Sequence, residues 1–160
     1  MHRVMGVDIE TYSSVDLAEA GVYAYVEAPD FDILLISYIF DDWGEDDVKT
    51  IDCFDADPDM MAEFCEALLD PQIVKTAFNA NFERTCLAKW LQKPMPPEEW
   101  RCTMVMAWYQ TLPGKLADVA VALDVTEKKM EEGKELIRYF SFPCKPTKAN
   151  GGRTRNRPSD

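Results

Sequence analysis

The apolar positions change period about a third of the way along the chain. Up to residue 54 they come in short β-branched and aromatic blocks. "HRVMGVDIE" (2–10) reads as a first strand, apolar up to its acids, and "FDILLISYIFDD" (31–42) as a buried second strand. "DDWGEDD" is a polar turn leading into a third strand, "VKTIDCF" (48–54), so the early sheet is expected to be antiparallel. From Asp57 the period becomes helical. "DPDMMAEFCEALLD" (57–70) offers an Asp cap, a Pro at the first helical position and apolar residues at 60, 61, 64, 65, 68 and 69. A short strand, "IVKTAF" (73–78), then leads into a helix from about Asn79 to Leu91, with Asn79 or Asn81 as its cap. Phe82, Cys86, Leu87, Trp90 and Leu91 make one buried stripe on that helix. Further helices are expected at 102–112 and 115–125, parted by Pro113-Gly114, and a last short one at 133–141. Strands first and alternating units afterwards predict an α/β fold, a mixed sheet flanked by helices.

At 160 residues, 47% apolar and 29% charged, the chain fits one ordinary domain with a core of useful size. Its longest apolar run (33–40) is too short to cross a bilayer, and acids by position 8 leave no signal peptide. No membrane partner is expected. Five scattered cysteines without a CxxC pair fit reduced thiols in a cytosol better than disulfides or a zinc site. The net charge of −12 is unevenly spread: residues 1–133 hold 10 Lys and Arg against 27 Asp and Glu, while residues 134–160 hold 7 against 2. The body is residues 1–144, and 145–160 is a basic tail with too few apolar residues to order itself alone. That tail reads either as a solvated terminus or as a loop that contacts phosphates.

Asp8 and Glu10 interrupt the first strand. Alternate residues of a strand share a face and rise about 3.3 Å each, which sets these two carboxylates roughly 7 Å apart on one side. Two such acids repel and are costly to desolvate, so they need a solvated strand end or a cation. Glu83 adds a third acid, in the first turn of the helix after the fourth strand. The helix dipole favours an acid there without any catalytic role. Taken together, however, a strand-end Asp-x-Glu and a helix-start acid suit Mg²⁺ or Mn²⁺, which prefer carboxylate oxygen and water. Two such ions activate a water and stabilise the leaving oxygen of a phosphodiester.

"VDIET" followed by "FNANFERTCLAKWL" resembles the first and second motifs of the DEDD-type 3′→5′ proofreading exonucleases, which have a ribonuclease H-like fold. The likeness is to the exonuclease domain of phage-type family A (DNA polymerase I-like) DNA polymerases, and it runs over essentially the whole chain. It implies a sheet with three antiparallel strands followed by a parallel one. It also implies metal-dependent hydrolysis of the 3′-terminal phosphodiester of single-stranded DNA during replication, in a bacterial or phage-infected cytoplasm. The rest of a polymerase would be the partner. By the same likeness Asp8, Glu10 and Glu83 are catalytic metal ligands, with Glu83 standing where most of the group has Asp. It would reach a metal or act through its water. Thr11 and Asn79 match positions that contact the terminal nucleotide; otherwise they are a strand-end hydroxyl and a helix cap. Tyr12, Phe78 and Phe82 are candidates to flank a frayed base, and Phe82 also fits the core.

One part of the pattern is missing. The group's third motif sets a Tyr four residues before an Asp on a late helix; here Tyr12/Asp16 and Tyr38/Asp42 have that spacing but precede the second motif. Ser159 or Asp160 would cap the absent helix, and the lone His2 makes no convincing general base. The expectation is an incomplete domain, slow or inactive by itself. A catalytically dead module binding nucleic acid or protein, and an exoribonuclease of the same fold, are the competing readings.

Overall fold

A computed structural model describes residues 3–125 and 131–157; His2, Ser159 and Asp160 lie outside them. Five strands form one sheet: β1 (Val4–Tyr12), β2 (Asp32–Phe40), β3 (Lys49–Asp52), β4 (Val74–Ala77) and β5 (Trp100–Cys102). Their order is β3-β2-β1-β4-β5. β1, β2 and β3 pair antiparallel, whereas β4 runs parallel to β1 and β5 parallel to β4. This is the ribonuclease H-like arrangement expected from the sequence. The helices are α1 (Leu17–Val26), α2 (Pro58–Leu69), α3 (Asn81–Leu91), α4 (Thr103–Tyr109), α5 (Leu116–Ala122) and α6 (Glu131–Phe140).

Register divides the sheet into two unlike faces. Met5, Val7 and Ile9 stand opposite Phe40, Tyr38 and Ile36, and these six are buried. Tyr25 and Val26 of α1, Phe64 and Leu68 of α2, and Cys86 and Leu87 of α3 complete that core. The other face carries Gly6, Asp8 and Glu10 against Ile39, Ser37 and Leu35, with Thr50 and Asp52 beyond. It is more polar and only partly covered. The pairing slips between Glu10 and Thr11, because Leu34 is an extra residue on β2, and both Ile33 and Leu34 are consequently buried.

Several elements depart from the sequence expectations. α1 was not anticipated. Asp16 caps it by accepting from the backbone N–H of Ala18 and Glu19, but Gly21 breaks it at φ 76°, which scrambles the helical period. The 102–112 segment opens as β5, and only Thr103–Tyr109 is helical. Neither Asn79 nor Asn81 caps α3. Ala80 holds that position without a side-chain bond, Asn79 adopts φ 71°, and its carbonyl accepts from the Phe82 N–H at 2.8 Å. Asn tolerates this left-handed turn better than most residues. The Asn81 carboxamide instead accepts from Arg84 at 3.1 Å. Of the expected stripe, Cys86 and Leu87 are buried while Phe82, Trp90 and Leu91 lie half-buried at the core's edge. Among the described residues, Glu83 and Lys75 are buried ionisable side chains that the pattern concealed. Lys75 meets Glu99 at 2.8 Å and also donates to the Asp70 carbonyl. Among the described residues no helix is long and apolar enough to cross a membrane.

Candidate functional site

Two parallel neighbours, β1 and β4, end on the same side of the sheet, and the chain passes from β4 through Asn79 into α3. The carboxyl ends of adjacent parallel strands are where open α/β sheets place their ligand sites. Asp8 and Glu10 share the polar face of β1, as the strand period requires. Asp8 is exposed, Glu10 half-buried. Glu83, one turn into α3, is only 5% exposed.

Glu83 is electrostatically unusual. Burial is the main cause that pushes its pKa up to about 8; a backbone hydrogen bond opposes the rise, and the nearby Asp8 charge adds to it. Its Oε2 is buried with no hydrogen-bond partner. A desolvated carboxylate beside another acid ordinarily has a cation or a donor. The donor chemistry therefore suits a hard divalent ion, although among the described residues no three His, Cys, Asp or Glu side chains gather closely enough to cage one.

Glu10 stands on the wall between two clefts. One, of about 360 Å³, is lined by Glu10, Thr11, Tyr25, Phe82, Ile137 and Phe142, among others. The other, of about 450 Å³, runs from Glu10, Leu35 and Phe54 to the α6 residues Leu136, Ile137 and Phe140. Asp8 opens instead onto a shallower pocket with Ser37, Thr76 and Thr103. Apolar walls with a few polar groups are the usual make-up of a small-ligand cleft.

The remaining sequence candidates fall in different environments. Thr11 is buried, its hydroxyl 2.9 Å from the Tyr25 hydroxyl. Tyr12 is 1% exposed, with the Arg155 guanidinium 4.6 Å from its ring centre and its hydroxyl donating to the Thr154 carbonyl at 3.3 Å. Its ring is buried beside Arg155 in this arrangement. Phe82 packs on Tyr25, ring centres 6.2 Å apart, and also lines the smaller cleft. Phe78 is half-buried and Asn79 exposed. Ile137, Ser141 and Phe142 were missed as wall residues, because nothing in their local pattern says that α6 returns to β1.

Comparison with known proteins places this geometry in context. No family model matches the chain. It is 55% identical over 156 residues to a DNA polymerase of Bacillus phage SP02, a match covering 98% of this chain and 24% of that protein. The chain thus spans about a quarter of the length of the curated relative it matches. Among solved structures it is similar to Brucella melitensis NrnC, with a TM-score of 0.51 and 17% identity over 79% of this chain and 55% of the other. That likeness concerns the fold.

Proposed function

We propose that this chain, homologous to part of a phage DNA polymerase and built on the ribonuclease H-like fold of the DEDD-type exonucleases, is a polymerase-associated 3′→5′ exonuclease domain acting on single-stranded DNA. The observation that carries this reading is Glu83: a buried carboxylate with an unpartnered oxygen, in electrostatic reach of Asp8, in the first turn of the helix that follows β4.

Mg²⁺ and similar hard ions keep several waters and need only one or two carboxylates, so Asp8 and Glu83 would hold Mg²⁺ or Mn²⁺, with Glu10 as a further ligand by the family likeness. When bound, such an ion supplies water activation and charge neutralisation at the scissile phosphate. The chain's own residues supply the binding. The cleft between Thr11, Phe82 and Phe142 accepts the terminal nucleoside, since aromatic walls bind bases without reading sequence and exclude water. The Tyr25 hydroxyl fixes the rotamer of Thr11 and so keeps the cleft wall in place. Asn79, exposed in the turn before α3, is the further candidate for contact with the terminal sugar or phosphate. The setting is replication proofreading in the cytoplasm of a phage-infected or bacterial cell, with the remaining polymerase chain as partner.

Digestion of 5′-labelled single-stranded DNA tests the proposal. The 160-residue chain is expected to shorten DNA slowly from its 3′ end with Mg²⁺. A version extended through a helix bearing Tyr-x-x-x-Asp is expected to act faster, and Asp8→Ala to abolish the activity of both. Hydrolysis indifferent to EDTA and to Asp8→Ala overturns the reading. One second reading is a binding module without catalysis. Mn²⁺ binding without cleavage, even in the extended version, would identify it. Parallel assays on RNA decide between deoxyribose and ribose substrates.

A further inference from the structure

The C-terminal basic segment is more highly organised than its composition suggests. Residues 144–157 contain almost no apolar side chains, yet they fold around Asn150. Its carboxamide oxygen accepts from the N–H groups of Thr147 at 2.8 Å and Gly152 at 3.1 Å. Its amide donates to the carbonyls of Lys145 at 3.0 Å and Arg153 at 3.2 Å. Gly151 and Gly152 take φ of 68° and 78°, a turn that a side chain would strain. The Cys144 N–H closes the base by donating to the Thr154 carbonyl at 2.8 Å.

This loop is fastened beside the site. Arg155 reaches Asp32 at 3.1 Å, with its guanidinium over the Tyr12 and Phe54 rings. Asn156 donates to the Tyr139 carbonyl at 2.8 Å. Tyr12 follows Glu10 by two positions on the same strand, a separation of roughly 7 Å. Asn156 and Glu10 also line one cleft. Arg155 anchors the loop to β2, the Arg153 Nε donates to the Asn150 carbonyl at 2.8 Å within it, and Lys145 and Lys148 are exposed along it.

An anionic strand approaching this body meets repulsion, since residues 1–133 carry a net −17. Residues 134–160 carry +5. A fixed cationic rim next to an acidic site lowers that barrier and orients the strand. We infer that residues 144–157 are a preshaped phosphate-binding loop that grips the backbone of single-stranded DNA on the 5′ side of the terminus held in the cleft. The inference rests on the exonuclease reading for the position of that terminus.

The test is binding of a fluorescent twelve-nucleotide oligothymidylate to the 160-residue chain in EDTA, across a salt series. Lys145→Ala/Lys148→Ala removes two exposed charges. It is expected to weaken binding about tenfold at low salt and to flatten the slope of log affinity against log salt by about 1.4, or 0.7 per lost phosphate contact. Lys145→Arg/Lys148→Arg is expected to retain both values, and thermal melts of all three proteins to coincide. Equal affinity and slope in the alanine variant, or no binding by the unaltered chain, overturns the inference. The exonuclease reading has a separate readout: Mg²⁺-dependent digestion that survives Asp8→Ala sinks that reading, whereas lysine-dependent binding would still stand.

Discussion

Glu83 and Asp8 are electrostatically linked across the junction of β1 and α3: burial, with the Asp8 charge adding to it, pushes the Glu83 carboxyl up to about 8, and its Oε2 has no hydrogen-bond partner. In a purely structural helix start, a first-turn acid stays exposed and caps N–H groups. Here the side chain is buried with Asp8 in electrostatic reach, although it also accepts a backbone hydrogen bond. That arrangement is destabilising without a counter-charge and reasonable with one.

A pH dependence follows. The folded-state pKa of Glu83 lies above its unfolded value, with burial the larger cause and Asp8 the lesser. Its contribution to stability is fully present below the unfolded value and is lost as pH rises through about 8. In EDTA, the melting temperature should therefore fall between mildly acidic pH and pH 8.5, and Glu83→Gln should flatten this slope. Adding Mg²⁺ should restore stability to the unaltered chain at the alkaline end and leave Glu83→Gln nearly unmoved. Parallel melting curves for both proteins at every pH would count against the assigned environment.

Among the described residues, the Lys75–Glu99 pair is the most deeply buried ion pair, with Lys75 fully buried and Glu99 partly so. Glu99→Gln leaves the ammonium with its neutral acceptor, the Asp70 carbonyl, and should cost about 3 kcal/mol in urea unfolding. Lys75→Met fills similar space without a charge and should cost less. The reverse order would mean that side-chain packing, rather than charge pairing, dominates at this site.

Cys86 is fully buried, and its thiol is pushed up to about 12 by burial, with the Glu83 charge adding to the rise. In native protein at pH 8 it should resist a disulfide reagent that titrates all five cysteines after unfolding. Glu83→Ala should open that wall and speed its modification. Rapid labelling of Cys86 in the native, unaltered chain would show that the α3 seam is looser than described.

The antiparallel pairing of the first strands and the shared face of Asp8 and Glu10 were legible because strand alternation and a Gly-containing turn are local signals, whereas the parallel strand was implied only by the family resemblance. The α2 cap was equally plain: Asp57 and Pro58 behave as their positions dictate. What was hidden depended on distance along the chain. α1 is interrupted by Gly21, so no unbroken period reveals it. β5 is three residues long and gains its identity only by pairing with β4. Asn79 looked like a cap, yet it makes the left-handed turn one residue earlier. The burial of Tyr12 under Arg155 joins residues 143 positions apart, which no local pattern encodes.

Mn²⁺ titration of the 160-residue chain, followed by electron paramagnetic resonance, addresses the acidic site most directly. The account predicts saturable binding that Asp8→Asn and Glu83→Gln each weaken by at least about tenfold. Binding of equal strength in the unaltered chain and both variants would contradict it.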